Sequence, residues 1–343
     1  MRNRSIPKPV RLRYRLDRRL QGMPQIKNEK VGRDQIEKIL EEDSNAIFKD
    51  GGTMEEFMAG NGFAYFGGDI RLFVSDIEQR KEINFLCLMY VGKSFNHLES
   101  PYRNPDLSFL VLISRLNTFA RRIEELTGKM AKITIATENG LFDRYVLGTS
   151  VKTSNKMVLQ AKRLARLFNL EKIEFKSLSS FLPKNFVRLA DEELDKLTKA
   201  QISGKNKELG GVFDVLLLSS PTKSFGQAVR IYSDRKLHRR IEKWAFSASL
   251  KYLAFTKARY SIDFWKKLAE RYIRSSVSPK SGILNFKYNI GRVAPLHGVA
   301  VIGKSGVSTE RFYDLVKQCK DSGRISLFRF DNMPFFFKAE CKR

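Results

Sequence analysis

Cysteine is scarce. Cys87, Cys319 and Cys341 are three in 343 residues, far apart and without a CxxC pair. That excludes a disulfide framework and points to a reducing cytoplasm. Histidine is equally sparse: His97, His238 and His297 give no zinc-site spacing, so no metal centre is expected. No apolar run reaches the ~18 residues of a membrane-spanning helix. The basic N-terminus is followed by no apolar stretch, so no secretory signal is expected. Acid is in deficit, with 37 Asp+Glu against 63 Lys+Arg and a formal charge of +26.

That excess predicts affinity for polyanions: nucleic acid, an anionic membrane surface or phosphorylated metabolites. It reads equally as a solubility trait. Residues 1–20 contribute +7, with eight Lys/Arg and one Asp, so +19 is spread over the rest. What the chain has in quantity is apolar residues, 42% with 26 Phe, enough for a substantial core.

Pro7 and Pro9 oppose a helix at the start, and residues 1–30 are expected to form a basic flexible arm. Residues 34–42 predict a short helix, and 63–75, with alternating aromatics and glycines, a hairpin. INFLCLMYV (83–91) reads as a buried strand. Pro105-Asp106-Leu107 starts an amphipathic helix that Gly128 stops, and KITIAT (132–137) is a second strand. Together they form a βαβ unit. Residues 154–168 predict a basic helix capped by Ser154. Strand EKIEFKS follows, then helices over 191–202, 234–255 and 262–274. Strands 283–290, 298–303 and 324–330 come last, with a helix over 308–319. The alternation predicts an α/β fold with a Rossmann-like, mostly parallel sheet over 31–330, a helical insertion at about 190–275 and a tail at 331–343.

Four segments carry chemistry. KSFNHLESPYRNPDL (93–107) follows a strand, where open α/β sheets bind ligands. Lys93, Ser94 and Asn96 could grip an anion or a polar substrate, or could serve the loop's own backbone. Glu138, in ATENGLFDR, emerges at the same edge as either a substrate-amine partner or part of an Asn139-Gly140 turn. RYIRSSVSP (271–279) offers Arg271, Arg274, Ser275, Ser276 and Ser278 for phosphate, or plain surface arginines at a helix end. His297 precedes a strand, as a candidate acid/base or a structural histidine. GKS at 92–94 and 303–305 lacks the spacing of a nucleotide phosphate loop.

In order, these segments resemble the pyoverdine/dityrosine biosynthesis family, the isocyanide (isonitrile) synthases. The family loop reads roughly K-S-x-N, eight residues, then P-D-L. Here Lys93-Ser94-Phe95-Asn96 is followed by eight residues and Pro105-Asp106-Leu107. The family's S-D-G-x-x-F region resembles Thr137-Glu138-Asn139-Gly140-Leu141-Phe142, its I-R-L-S-I-H-P resembles Ile273 to Pro279, and its P-W-H-G-V-A resembles Pro295 to Ala300. The likeness covers about 85–320. The chain departs from the pattern at Glu138 (Asp), at Arg144 (acid, with Asp143 next door), at Ser278 (His) and at Leu296 (Trp).

The resemblance implies conversion of the α-amine of a Tyr- or Trp-like amino acid to an isonitrile, with ribulose 5-phosphate supplying the carbon and no metal or redox cofactor. It implies that Lys93 and Arg274, with Ser94, Asn96 and Ser276, bind phosphate or substrate. Glu138 would hold the amine, and His297 or Lys93 would move protons. Two other readings stand beside it. One is a basic nucleic-acid-binding protein acting through the N-terminal arm. The other is an inactive member of the same fold that binds a phosphorylated ligand.

Overall fold

Two apolar strands, Ile83–Met89 (β3) and Ala131–Thr137 (β4), pair in parallel with Ile83 opposite Ala131. Between them runs Leu107–Thr127 (α4). In this computed structural model, the described residues are 26–49, 51–60, 64–65, 70–94, 96–202, 212–213, 216–217, 219–276, 284–285, 297–303, 306–319 and 324–340. The ends of α4 follow from two residues. The Asp106 side chain accepts from the backbone N–H groups of Ser108 and Phe109, and Gly128 closes the helix in the left-handed region at φ 65°.

The remaining elements, in chain order, are β1 (Ile26–Lys30), α1 (Arg33–Ile47), α2 (Met54–Gly60), β2 (Ala64–Tyr65) and α3 (Ile70–Gln79) before β3. After β4 come a π-helical turn at Asp143–Leu147, α5 (Val151–Leu167), β5 (Ile173–Ser177), α6 (Phe186–Ile202), α7 (Phe225–Ser233), α8 (Arg235–Ser261), α9 (Phe264–Ala269), β6 (Ile273–Ser276), β7 (Leu284–Asn285), β8 (Val299–Gly303), β9 (Gly306–Glu310), α10 (Phe312–Gln318), β10 (Arg324–Phe330) and β11 (Met333–Glu340).

The main sheet has the order β2-β7-β6-β3-β4-β5, parallel throughout except for the β2/β7 pair. The α/β, Rossmann-like expectation holds. A second, mixed sheet, β1-β10-β11-β8-β9, takes the strands at 299–303 and 324–330, which the sequence placed with the rest. Helix α4 lies between the two. Its predicted stripe is amphipathic, yet Phe109, Leu112 and Ile113 are buried as well as Leu110, Leu116 and Phe119. One core joins Phe85, Cys87 and Met89 of β3 through α4 to Phe335 and Phe336 of β11. A helix buried on all sides needs apolar contact on all sides. Arg115 of α4 makes two 2.7 Å bonds to Asp43 of α1, anchoring that helix outside.

Several boundaries move. Ile26–Lys30, expected as the end of an arm, is a strand paired in parallel with β10. Met333–Glu340, expected as a tail, is antiparallel to the same strand. The hairpin expected at 63–75 ends in helix α3, and the helix expected at 262–274 gives way to β6 because Ile273 pairs with Phe85. The 308–319 helix begins only at Phe312, after β9. Helix α5 is capped by Ser150, which leaves Ser154 buried one turn inside. Cys319 is disulfide-bonded, where no disulfide was expected, and Cys87 is free and buried. Among the described residues no helix is long and apolar enough to cross a membrane. Residues 1–25 of the arm, most of 283–290, and 277–279, 295–296 and 341–343 lie outside the described residues.

Candidate active site

Strand β3 has β4 on one side and β6 on the other, so the order of the sheet reverses at β3. Ligands of open α/β sheets bind beyond the carboxyl ends of strands at such a switch point. The loop 90–106 leaves the sheet there. Asn139, just past β4, clamps its start: its Oδ1 accepts from Val91 N at 2.8 Å and its Nδ2 donates to Val91 O at 2.7 Å. Gly92 follows at φ 109°, where a Cβ would lie 2.3 Å from Met157 Sδ and 2.7 Å from the Arg103 carbonyl. Only glycine fits, which accounts for GKS at 92–94 without any phosphate loop.

Lys93 then turns inward. Its Nζ lies 2.7 Å from Asp106 Oδ1 and donates to Ser108 Oγ at 2.8 Å, with both charged side chains fully buried. Burial pulls the Lys93 pKa below its ordinary value, partly offset by the charge and hydrogen bond of Asp106. The other Asp106 oxygen accepts from Tyr102 Oη and from Ala300 N, each at 2.9 Å. Asp106 thus caps α4, neutralises Lys93 and docks β8 of the second sheet. These contacts hold Lys93 in the framework of the loop.

Docking β8 brings His297 to the loop. Its Nδ1 lies 3.0 Å from Glu99 Oε2; the Glu99 side chain is 2% exposed and the imidazole 23%. Nε2 has no hydrogen bond among the described residues. Burial opposes the charged ring, and Lys93 adds repulsion. The charge of Glu99 and its hydrogen bond outweigh both, so the His297 pKa sits above its usual value. Glu99 is itself fixed, because its carbonyl accepts from Phe312 N at 3.1 Å.

A second polar cluster surrounds the start of the π-turn. The Tyr90 hydroxyl donates to Asp143 Oδ1 at 2.8 Å. Asp143 is fully buried, and burial pushes its carboxyl up to about 6, against the Tyr90 and backbone hydrogen bonds and the charge of Arg103. Burial and Asp143 hold the Tyr90 phenol far above its ordinary range. The half-buried Arg103 also lowers the His97 pKa, in addition to the larger effect of burial there. His97 bonds to Thr222 through both its backbone N–H and Nδ1.

The structure therefore brings together Lys93 and His297 and adds Glu99 and Asp106. Glu138 and Arg274 have partners elsewhere. Glu138 accepts from Arg259 Nη1 of α8 at 3.2 Å, and the Arg274 guanidinium lies 4.2 Å from the centre of the Trp265 ring of α9. Ser94 Oγ accepts from Asn96 N, while Asn96 Nδ2 donates to Tyr232 Oη at 2.7 Å and its Oδ1 accepts from Leu98 N. Both serve the loop. Ser276 ends β6 opposite Asn285, and its side chain lies outside the described residues. The sequence reading missed Glu99, Asp106, Tyr90 and Asp143 as site residues. For Asp106 a signal existed, since an acid just before an apolar helical run is a capping position.

No protein-family profile and no curated protein matches the sequence. Among solved structures, the PvcA protein from Pseudomonas aeruginosa superposes with a TM-score of 0.53 over 88% of this chain and 99% of its own, at 15% identity. The shared property is the fold. The match to PvcA spans nearly all of that chain, so both sheets and their joining helix belong to the comparison rather than the βαβ unit alone.

Proposed function

We propose that the chain is a distant, divergent relative of the isonitrile synthases, an enzyme that joins the amine of an amino acid to a carbon from a sugar phosphate such as ribulose 5-phosphate. The observation that carries this reading is the His297–Glu99 pair. A buried carboxylate from the loop at the sheet's switch point holds one ring nitrogen while the other has no partner among the described residues, and the imidazole keeps 23% exposure. That is how a general acid/base is positioned. Amine condensation with a sugar ketone, and the carbon–carbon cleavages that must follow, need repeated proton transfers at nitrogen and at hydroxyls. His297 Nε2 is the group suited to them. Glu99 orients the ring and stabilises its protonated form; Lys93 and Asp106 fix the loop and set the local potential. The likeness of fold to PvcA and the four motif segments support the family assignment.

The test is incubation of the purified chain with ribulose 5-phosphate and each of the common amino acids, with mass spectrometry for the isonitrile. Product from at least one aromatic amino acid, abolished by His297→Ala, is expected. No product with any of them overturns the catalytic reading.

A further inference from the structure

Among the described residues, Asp143 is the one carboxylate with a buried oxygen left without a donor. Oδ1 receives the Tyr90 hydroxyl, but Oδ2 is buried with no hydrogen-bond partner. A fully buried acceptor is rarely left so, and each case asks for an explanation. Ser154, one turn into α5, is also fully buried and its hydroxyl forms no well-aligned hydrogen bond. It lies close enough to the Tyr90 phenol to influence its ionisation. Asp143 Oδ2 is thus the orphaned atom, and the Tyr90 phenol, bonded to Oδ1 and within hydrogen-bonding reach of Ser154, links the two side chains into one cluster.

The backbone is shaped to make it. Asp143 opens the π-helical turn, which Gly148 closes at φ 64°. Such turns are uncommon and recur at functional sites. The turn points Asp143 inward, fully buried, and leaves Arg144 exposed. Glu138 cannot play the same part freely, because Arg259 already neutralises it at 3.2 Å. Asp143 makes no ion pair among the described residues.

We propose that Asp143, Ser154 and Tyr90 form the subsite that takes the ammonium group of the substrate. An ammonium has three N–H donors. Asp143 Oδ2 is an acceptor without a donor, the Ser154 hydroxyl and the Tyr90 oxygen of the same cluster can accept as well, and the carboxylate supplies the opposite charge. Arg103 brings a positive charge to the same cluster, so a ligand bearing both signs, such as an α-amino acid, suits it better than a simple amine. Aromatic rings stand alongside: Phe142 meets Tyr90 edge-on at 6.1 Å and Tyr252 at 5.8 Å. The identification of the ligand as an amino acid rests on the proposed function; the unpaired, buried carboxylate oxygen does not.

Calorimetry on the full chain tests this with three probes: L-tyrosine, L-tryptophan and 3-(4-hydroxyphenyl)propionate, the tyrosine analogue without its amine. The wild type is expected to bind at least one amino acid, and tyrosine at least tenfold more tightly than its amine-free analogue. Asp143→Asn should reduce that preference to within about twofold, and Tyr90→Phe should weaken it in the same direction, while Glu138→Gln keeps it. Circular dichroism confirms that each variant is folded, and Tyr90→Phe carries the test should Asp143→Asn not fold. Binding of neither amino acid, a preference that survives in Asp143→Asn and Tyr90→Phe, or its loss in Glu138→Gln overturns the assignment. Asp143-dependent binding without isonitrile formation would end the activity reading and leave this subsite standing. Turnover with an unaffected Asp143→Asn would do the reverse.

Discussion

Lys93 Nζ lies 2.7 Å from Asp106 Oδ1, and neither side chain reaches solvent. The pair joins the loop after β3 to the first turn of α4, and Asp106 carries the link on to Ala300 of the second sheet. The loop that positions Glu99 is thus locked to the strand that positions His297. An ion pair so deep gives little net stability while intact, because both charges have lost their water. Its value here is geometric.

Breaking it from one side has a definite cost. Lys93→Met leaves the Asp106 charge buried beside an apolar chain. The expected loss is about 3–5 kcal/mol, read as a lower midpoint in urea unfolding. The double variant Lys93→Met/Asp106→Asn should recover part of the loss, because the stranded charge is gone. A loss under about 1 kcal/mol for the single change would mean that the pair is not buried in solution.

Gly92→Ala should destabilise by at least about 2 kcal/mol, since it combines a positive-φ residue with overpacking. The new methyl would meet both Met157 Sδ and the Arg103 carbonyl. Shortening Met157 to alanine relieves only the first contact, so Gly92→Ala/Met157→Ala should stay less stable than Met157→Ala alone. Thermal unfolding of the three variants decides the point.

The His297–Glu99 pair makes a signed prediction about pH. The folded pKa of His297 is raised, so the protonated ring stabilises the fold. That contribution is fully present below the unfolded value of about 6.5 and is lost as pH rises through the folded pKa. Glu99→Gln removes the charge that raises it. The ring proton of His297, followed by NMR, should titrate at lower pH in Glu99→Gln than in wild type. The wild type's stability advantage over that variant should shrink as pH rises. An unchanged midpoint would show that Glu99 does not set the ring's state.

Asp143 behaves in the opposite sense to most carboxylates. Its pKa is raised to about 6, so its neutral form favours folding, and this contribution is lost as pH climbs from about 4 through about 6. Asp143→Asn should therefore stabilise the protein at pH 7.5 by on the order of 1–3 kcal/mol, with the gain fading toward pH 4. A gain in stability joined to a loss of ligand binding is the mark of a side chain kept for function. Denaturant titrations at the two pH values measure it.

The βαβ unit was legible because its signals are local: an apolar run at Ile83–Met89, an acid before an apolar helix, a glycine after it and a second apolar strand. Where the signal is non-local, the sequence misleads. Ile273–Ser276 follows helical residues and becomes a strand through pairing with Phe85 to Cys87, far away in the chain, and with β7. Ile26–Lys30 is polar, and its strand state comes from pairing with residues 325–329. The site shows the same division. His297 at a strand entrance was visible, but the partner that orients it, Glu99, sits inside a loop without periodicity. Glu138 emerged at the expected edge, and only the packing of α8 shows that Arg259 occupies it.

The proposed role of His297, held by Glu99, is to move protons while a sugar-phosphate carbon is transferred to an amino-acid amine. Uniformly carbon-13-labelled ribulose 5-phosphate, supplied with the amino acid that binds best, tests it most directly. An isonitrile carrying a single labelled carbon is expected, lost in His297→Ala and formed at least tenfold more slowly in Glu99→Gln. An unlabelled isonitrile, no isonitrile from any amino acid that binds, or full activity in His297→Ala would contradict it.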